Sequence, residues 1–178
     1  MNFKKIIKQI STNKLLIIYI SPFIIYLLVA YLLFGPAHFT DIHRDIFTPS
    51  GDPLASVWYL RWWPFSISHG LNPIFERYAY YPNGFNLAWS TSIPTLAIIM
   101  APVTAIWGAL TSFNVIALVA LPLSALCCYY LIYYLSKKYW ASLLCSFIYG
   151  FSSFQLGELL GHNCFYISFI PPLVILVI

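Results

Sequence analysis

Between Lys14 and Lys137 every charged side chain falls within residues 41–77, and the chain on either side of that window is almost unbroken hydrocarbon. The window holds Asp41, Arg44, Asp45, Asp52, Arg61, Glu76 and Arg77, which include four of the five acids in the sequence. Of 178 residues, 61% are hydrophobic and 8% are charged, against about 25% charged in a soluble domain. Such a chain cannot keep its surface wet. The sequence therefore predicts an integral membrane protein that confines its polar chemistry to one large loop.

Apolar runs set the expected spans at about 15–34, 113–135, 139–157 and 164–178, the last still running at Ile178. The first is uncharged over 20 residues, longer than a signal-peptide core, and fits the ~20 residues that cross ~30 Å of hydrocarbon. Ending inside an apolar run predicts the front portion of a larger protein. Lys4, Lys5, Lys8 and Lys14 place the amino terminus in the cytoplasm, and Lys137 and Lys138 belong on the same side. One inward crossing by 113–135 satisfies both clusters. The stretch 92–110, interrupted by Pro94 and Pro102, then lies in or on the outer leaflet. The expected fold is an all-α polytopic transmembrane helix bundle, one membrane domain, with a large extracytoplasmic loop at 35–112 carrying juxtamembrane helices. The formal charge of +4 comes mostly from the two lysine clusters, so membrane lipid is the expected partner and nucleic acid is not. Cys127, Cys128, Cys145 and Cys164 lie in apolar runs without metal-ligand spacing and read as small hydrophobes.

Within the loop, Pro53 to His69 reads as an interfacial helix, with Asp52 as N-cap and Val57, Leu60, Trp63 and Ile67 on one face, flanked by Trp58 and Trp62. Gly70-Leu71-Asn72-Pro73 ends it, and Tyr81-Pro82-Asn83-Gly84 is a turn. Asp52 at a helix start suits a metal ligand or a base that takes a hydroxyl proton; it equally suits a plain cap. Asp41, His43, Arg44 and Asp45 form a second polar cluster that reads as a metal site or a solvated loop start. Arg61, Glu76 and Arg77 form a group that could hold a phosphate, through the planar donor fork of arginine. Glu158 and His162, spaced i, i+4, lie between the last two apolar runs and share the outer side by this topology. The sequence has no glycine-rich phosphate loop, Ser-His-Asp order or zinc signature.

The order of these features resembles the start of the GT-C superfamily of polytopic glycosyltransferases, bacterial members included. The matching segments are Gly51-Asp52-Pro53 with its helix to Gly70-Leu71-Asn72-Pro73, Tyr81-Pro82-Asn83-Gly84, Ser92-Ile93-Pro94, Asn114, Lys137-Lys138, Gly150-Phe151-Ser152-Ser153 and Gly161-His162-Asn163. The resemblance implies a membrane glycosyltransferase that takes its sugar from a polyprenyl-phosphate donor at the outer face of the cytoplasmic (inner) membrane. It implies Asp52 as the catalytic carboxylate, Arg61 and Arg77 on the departing phosphate, and Glu158 and His162 on the acceptor. It also implies Asp52, Glu158 and His162 around a divalent metal, Mg or Mn. A paired acid of the Asp-Asp or Asp-Glu type is absent at 51–53, which leaves metal dependence open. Three alternatives stand beside the enzyme: a transporter-like component, for which ionisable groups at the bilayer midplane are lacking, a non-catalytic membrane subunit, and an inactive truncated fragment.

Overall fold

Proline at position 22 interrupts the first apolar run and determines how its helix is held. The computed structural model describes residues 12–38, 41–46, 51–161 and 168–178. The lysines at 4, 5 and 8, together with His162 and Cys164, lie outside the described residues. The chain is mostly helical. In order the helices are α1 (Thr12–Tyr19), α2 (Ser21–His38), α3 (Gly51–Ser68), α4 (Pro94–Ile99), α5 (Ala101–Trp107), α6 (Ala109–Ser136), α7 (Tyr139–Gly150), α8 (Ser153–Gly161) and α9 (Ile170–Val177). Between α3 and α4 a two-stranded antiparallel hairpin pairs β1 (Phe75–Glu76) with β2 (Phe85–Asn86), followed by a 3-10 turn at Leu87–Trp89. Two stretches, Leu16–Gly35 and Ala109–Ser136, are helical, long and apolar enough to cross a membrane.

The fold divides into two compact units. One comprises Met1–Gly35, Leu118–Leu156 and Ile167–Ile178; the other comprises Pro36–Ala117 and Gly157–Tyr166. In the first unit, the break between α1 and α2 exposes three successive carbonyls. Pro22 has no N–H to offer Ile18 O, and the Tyr129 hydroxyl of α6 donates to that oxygen instead, at 2.9 Å. The Tyr130 hydroxyl donates to Tyr19 O at 2.8 Å, and Ser21 Oγ donates to Ile17 O. An apolar helix in lipid must satisfy its backbone internally, and here three hydroxyls do so.

The rest of this unit packs through small residues. Ser142, Ser146 and Gly150 of α7 recur every four residues and are buried. A Cβ on Gly150 would stand 2.5 Å from the Cβ and 2.6 Å from the N of Ala125 on α6, so only glycine lets the two backbones approach this closely. The buried Tyr26 hydroxyl of α2 bonds to Ser146 Oγ and donates to Leu143 O at 3.0 Å. Cys127 and Cys128 are buried free thiols, as expected of small hydrophobes, whereas Cys145 is exposed.

In the second unit α3 packs against α4 and α5. The buried positions of α3 are Pro53, Ser56, Leu60, Trp62, Trp63 and Ser66. The face expected from hydrophobicity is therefore shifted: Val57 is half-buried and Ile67 exposed, while two serines turn inward. Ser66 Oγ donates to Trp63 O, which makes that burial tolerable. The indole N–H groups of Trp62 and Trp63 donate to Pro73 O and Ser92 O at 2.9 and 2.8 Å. The helix ends where expected. Gly70 takes φ +67, Leu71 N bonds to Ser66 O and Gly70 N to Ile67 O, the paired bonds of a Schellman cap. Residues 92–110 fold as two helices of 6 and 7 residues and the start of α6, and neither short helix is long enough to span alone. The stretch 139–157 divides at Phe151–Ser152 into α7 and α8 instead of forming one continuous helix.

Tyr129→Phe removes the donor to Ile18 O and keeps the ring. A loss of about 1 kcal/mol is expected when this part-buried carbonyl loses its donor, seen as a lower midpoint of thermal unfolding in detergent. Pro22→Ala restores a backbone donor to the same oxygen, so Tyr129→Phe should cost less in that background. Equal costs in both backgrounds would exclude the hydroxyl-for-amide exchange.

Candidate functional site

The sequence points to the second unit, and two local devices there present its polar side chains. The first is α3. Its Trp58 and Trp62, spaced i, i+4, stack at 5.4 Å with an interplanar angle of 8°. Phe65 continues the stripe, 6.1 Å from Trp62, and His69 lies 4.2 Å from Phe65. Arg61 borders this stripe and is exposed. The second device is the turn after β1. Glu76 is fully buried, and its Oε2 accepts the backbone N–H groups of Tyr78 and Ala79, both at 2.9 Å. Gly84, at φ +73, lets the returning strand lie against this turn; a Cβ there would meet Glu76 O at 2.8 Å. So held, Tyr78 reaches α3, with its ring 5.5 Å from Trp62 and at 90° to Phe65.

The result is a cleft of about 230 Å³ lined by Trp58, Arg61, Trp62, Phe65 and Tyr78. A neighbouring cleft of about 290 Å³ shares Trp62 and Tyr78 and is lined also by Arg77. The Arg77 guanidinium lies 5.5 Å from the Phe75 ring centroid. A third hollow, about 330 Å³, has Arg61, Phe65 and His69 on its wall. Among the described residues the one ion pair is Arg44 with Asp41, at 3.5 Å, so neither Arg61 nor Arg77 is matched by a carboxylate. Two cations beside aromatic walls can hold an anion and stack a ring next to it.

Arg61 and Arg77 thus line adjoining clefts through shared aromatic walls. Glu76, grouped with them by sequence, does not join them. Its carboxyl is buried and ties down the turn. Asp52 lies within the first turn of α3, which begins at Gly51, and not ahead of the helix as a cap. It is exposed, and lines neither arginine cleft. Nine residues separate it from Arg61, about 13 Å along the axis and about half a turn out of phase, so α3 does not bring the two together. Glu158 lies in α8, half-buried, in the same compact unit as Asp52. His162 lies outside the described residues.

The Asp41 cluster organises a loop. Asp41 Oδ1 accepts His43 N at 2.9 Å, and Asp45 Oδ2 accepts Asp41 N at 3.0 Å. His43 Nδ1 lies 2.9 Å from Thr111 Oγ1. The fully buried Asn114 amide donates to Ile42 O and Asp45 O at 2.8 and 2.7 Å, tying the loop to α6. Among the described residues no three His, Cys, Asp or Glu side chains come together to hold a metal ion. Of the set Asp52, Glu158 and His162, the first two are described and belong to one compact unit, and His162 lies outside the described residues.

No protein-family profile, curated protein or solved structure matches the chain.

Glu76→Ala should free the Tyr78 and Ala79 amides and release Tyr78 from Trp62. The expected cost is about 1–2 kcal/mol, with faster hydrogen exchange at residues 78 and 79. Unchanged exchange there would exclude the carboxyl as the device that holds the turn.

Proposed function

We propose that this chain is a multi-pass inner-membrane protein of glycosyltransferase type, with its amino terminus in the cytoplasm. It would take a sugar from a polyprenyl-phosphate donor for an acceptor outside the cytoplasm. One observation carries the reading: Arg61, exposed and without a carboxylate partner among the described residues, borders a cleft walled by Trp58, Trp62, Phe65 and Tyr78. A lipid-linked sugar phosphate asks for a cation for its phosphate, an aromatic face for its pyranose ring and apolar surroundings for its isoprenoid chain. The cleft offers the first two, and two membrane-length apolar helices support the third.

In the reaction, the acceptor hydroxyl oxygen forms a bond to the sugar C1 while the bond from C1 to the phosphate oxygen breaks. Polyprenyl phosphate departs with the electron pair, and Arg61 and Arg77 stabilise the charge that grows on it. A carboxylate takes the hydroxyl proton. The resemblance points to Asp52 for that role, with Glu158 and His162 orienting the acceptor. A second reading, a non-catalytic membrane subunit or transporter-like component that binds the same donor, is favoured by the separation of Asp52 from Arg61 along α3.

Two variants separate the readings. Arg61→Gln should weaken retention of a polyprenyl-phosphate sugar about ten-fold or more under either reading, because a charge-assisted contact is lost. Asp52→Asn should leave donor retention intact and reduce transfer about 10²–10⁴-fold if Asp52 is the base. Full transfer by the Asn variant removes Asp52 from the chemistry. Unaltered donor retention by the Arg61 variant removes the cleft from the site. Sidedness has its own measurement. Single cysteines introduced at Lys137 and Asp52, in a background lacking the native four, should label from opposite sides of the membrane. Labelling from one side overturns the crossing by 113–135.

A further inference from the structure

The first unit contains a second cleft of a different character, about 340 Å³, lined by Tyr19, Tyr130, Tyr133, Tyr134, Lys137 and Leu176. Its walls are fixed by ring contacts. Tyr133 stacks on Tyr129 at 5.7 Å and 11°, and meets Tyr19 edge-on at 6.5 Å. The Tyr130 hydroxyl is committed to Tyr19 O. The hydroxyls of Tyr19, Tyr133 and Tyr134 make no hydrogen bond among the described residues. Lys137 sits just past the end of α6 at φ +56, with its Nζ 4.5 Å from the Tyr134 ring centroid and no acid beside it among the described residues. At the C-terminal end of the membrane-length α6, the cleft therefore combines an ammonium, three uncommitted hydroxyl donors and an apolar wall from Leu176 of the short α9.

We infer that this cleft binds the phosphate of an anionic membrane phospholipid, with Lys137 on the headgroup, Tyr133 and Tyr134 donating to its oxygens, and Leu176 against the first acyl carbons. Charge selects the occupant. A cation with aromatic neighbours at the boundary of an apolar helix complements an anionic headgroup, and the tyrosines place apolar rings toward the chain and polar tips toward the phosphate. A free phosphate ion would leave the Leu176 wall without a partner. The site is separate from the Arg61 cleft and does not rest on the glycosyltransferase reading.

The test counts lipid retained by the full chain in native mass spectrometry, from detergent micelles doped with dioleoyl phosphatidylglycerol or dioleoyl phosphatidylcholine. Lys137→Asn suits the left-handed backbone at that position, and Lys138→Asn removes the same charge from a residue that does not line the cleft. Wild type and Lys138→Asn should retain one phosphatidylglycerol, and Lys137→Asn should retain it about five-fold less well. The Tyr133→Phe/Tyr134→Phe double variant keeps the rings and should also lose retention; it decides the matter alone if Lys137→Asn does not fold. Equal loss in the two lysine variants, phosphatidylcholine held as well as phosphatidylglycerol, displacement by millimolar inorganic phosphate, or undiminished retention by the double Phe variant would each overturn the site.

Discussion

Three hydroxyls set the path of the first apolar helix. With Pro22 in place, the carbonyls of Ile17, Ile18 and Tyr19 receive hydrogen bonds from Ser21, Tyr129 and Tyr130 in place of the regular helical ladder. In water these oxygens would be solvated and the kink would need nothing else. In hydrocarbon an unpaired carbonyl costs several kcal/mol, so a broken helix that crosses a membrane needs donors from its partner at the right height. That requirement fixes the register of α6 against the break. It gives the adjacent Tyr129 and Tyr130 of α6 a structural role at the break. The tyrosine content of the chain is thus partly structural.

The second unit solves a different problem with the same economy. Charged groups are few, and several polar side chains hold a loop or border a cleft. Asn114 spends its amide on two carbonyls of the 41–46 loop, and the two tryptophan N–H groups fasten α3 to Pro73 and Ser92. Ser92 precedes Ile93, a β-branched residue at φ +43 just before Pro94. Strain of this kind, on the order of 1–3 kcal/mol, persists only where neighbours over-determine it, and the Trp63 bond to Ser92 O is one such neighbour. Glu76, buried and facing inward, aims Tyr78 at the α3 stripe. Removing it would leave Arg77 in sequence and lose its aromatic setting in space.

Much of this was legible in the sequence. Long uncharged apolar runs located the helices Leu16–Gly35 and Ala109–Ser136. Gly70 and the following Asn-Pro marked the end of α3, because a left-handed cap needs a residue without Cβ. Pro94 and Pro102 foretold that 92–110 would be broken into short pieces. What escaped were features decided by distant contacts. Hydrophobicity chose Val57 and Ile67 for the inner face of α3, whereas Ser56 and Ser66 are buried because packing against α4 and α5 sets its rotation. The break at Phe151–Ser152 gave no proline signal. The inward turn of Glu76 depends on a hairpin register that local propensity does not specify. Trp58 and Trp62 were visible at i, i+4 as flanking rings, but Tyr78, which completes the cleft with them, is sixteen residues beyond Trp62, past two turns whose geometry had to be known first.

Helical phase separates Arg61 from Asp52 on α3. Arg61, Trp58 and Phe65 fall on one side and Asp52 on the other, and a helix is too stiff to bring positions nine residues apart to a common centre. A base must approach the proton it takes to about 3 Å, whereas a phosphate site needs only its cation and a dry wall. The proposed holding of a lipid-linked phosphate would therefore ask for no acid on α3. A transfer reaction needs a carboxylate delivered from another segment of the same unit or a displacement of the start of α3. Glu158 is the acid that the 157–166 segment contributes to that unit. It is consequently the position, after Asp52, at which loss of turnover with intact donor retention would be most informative.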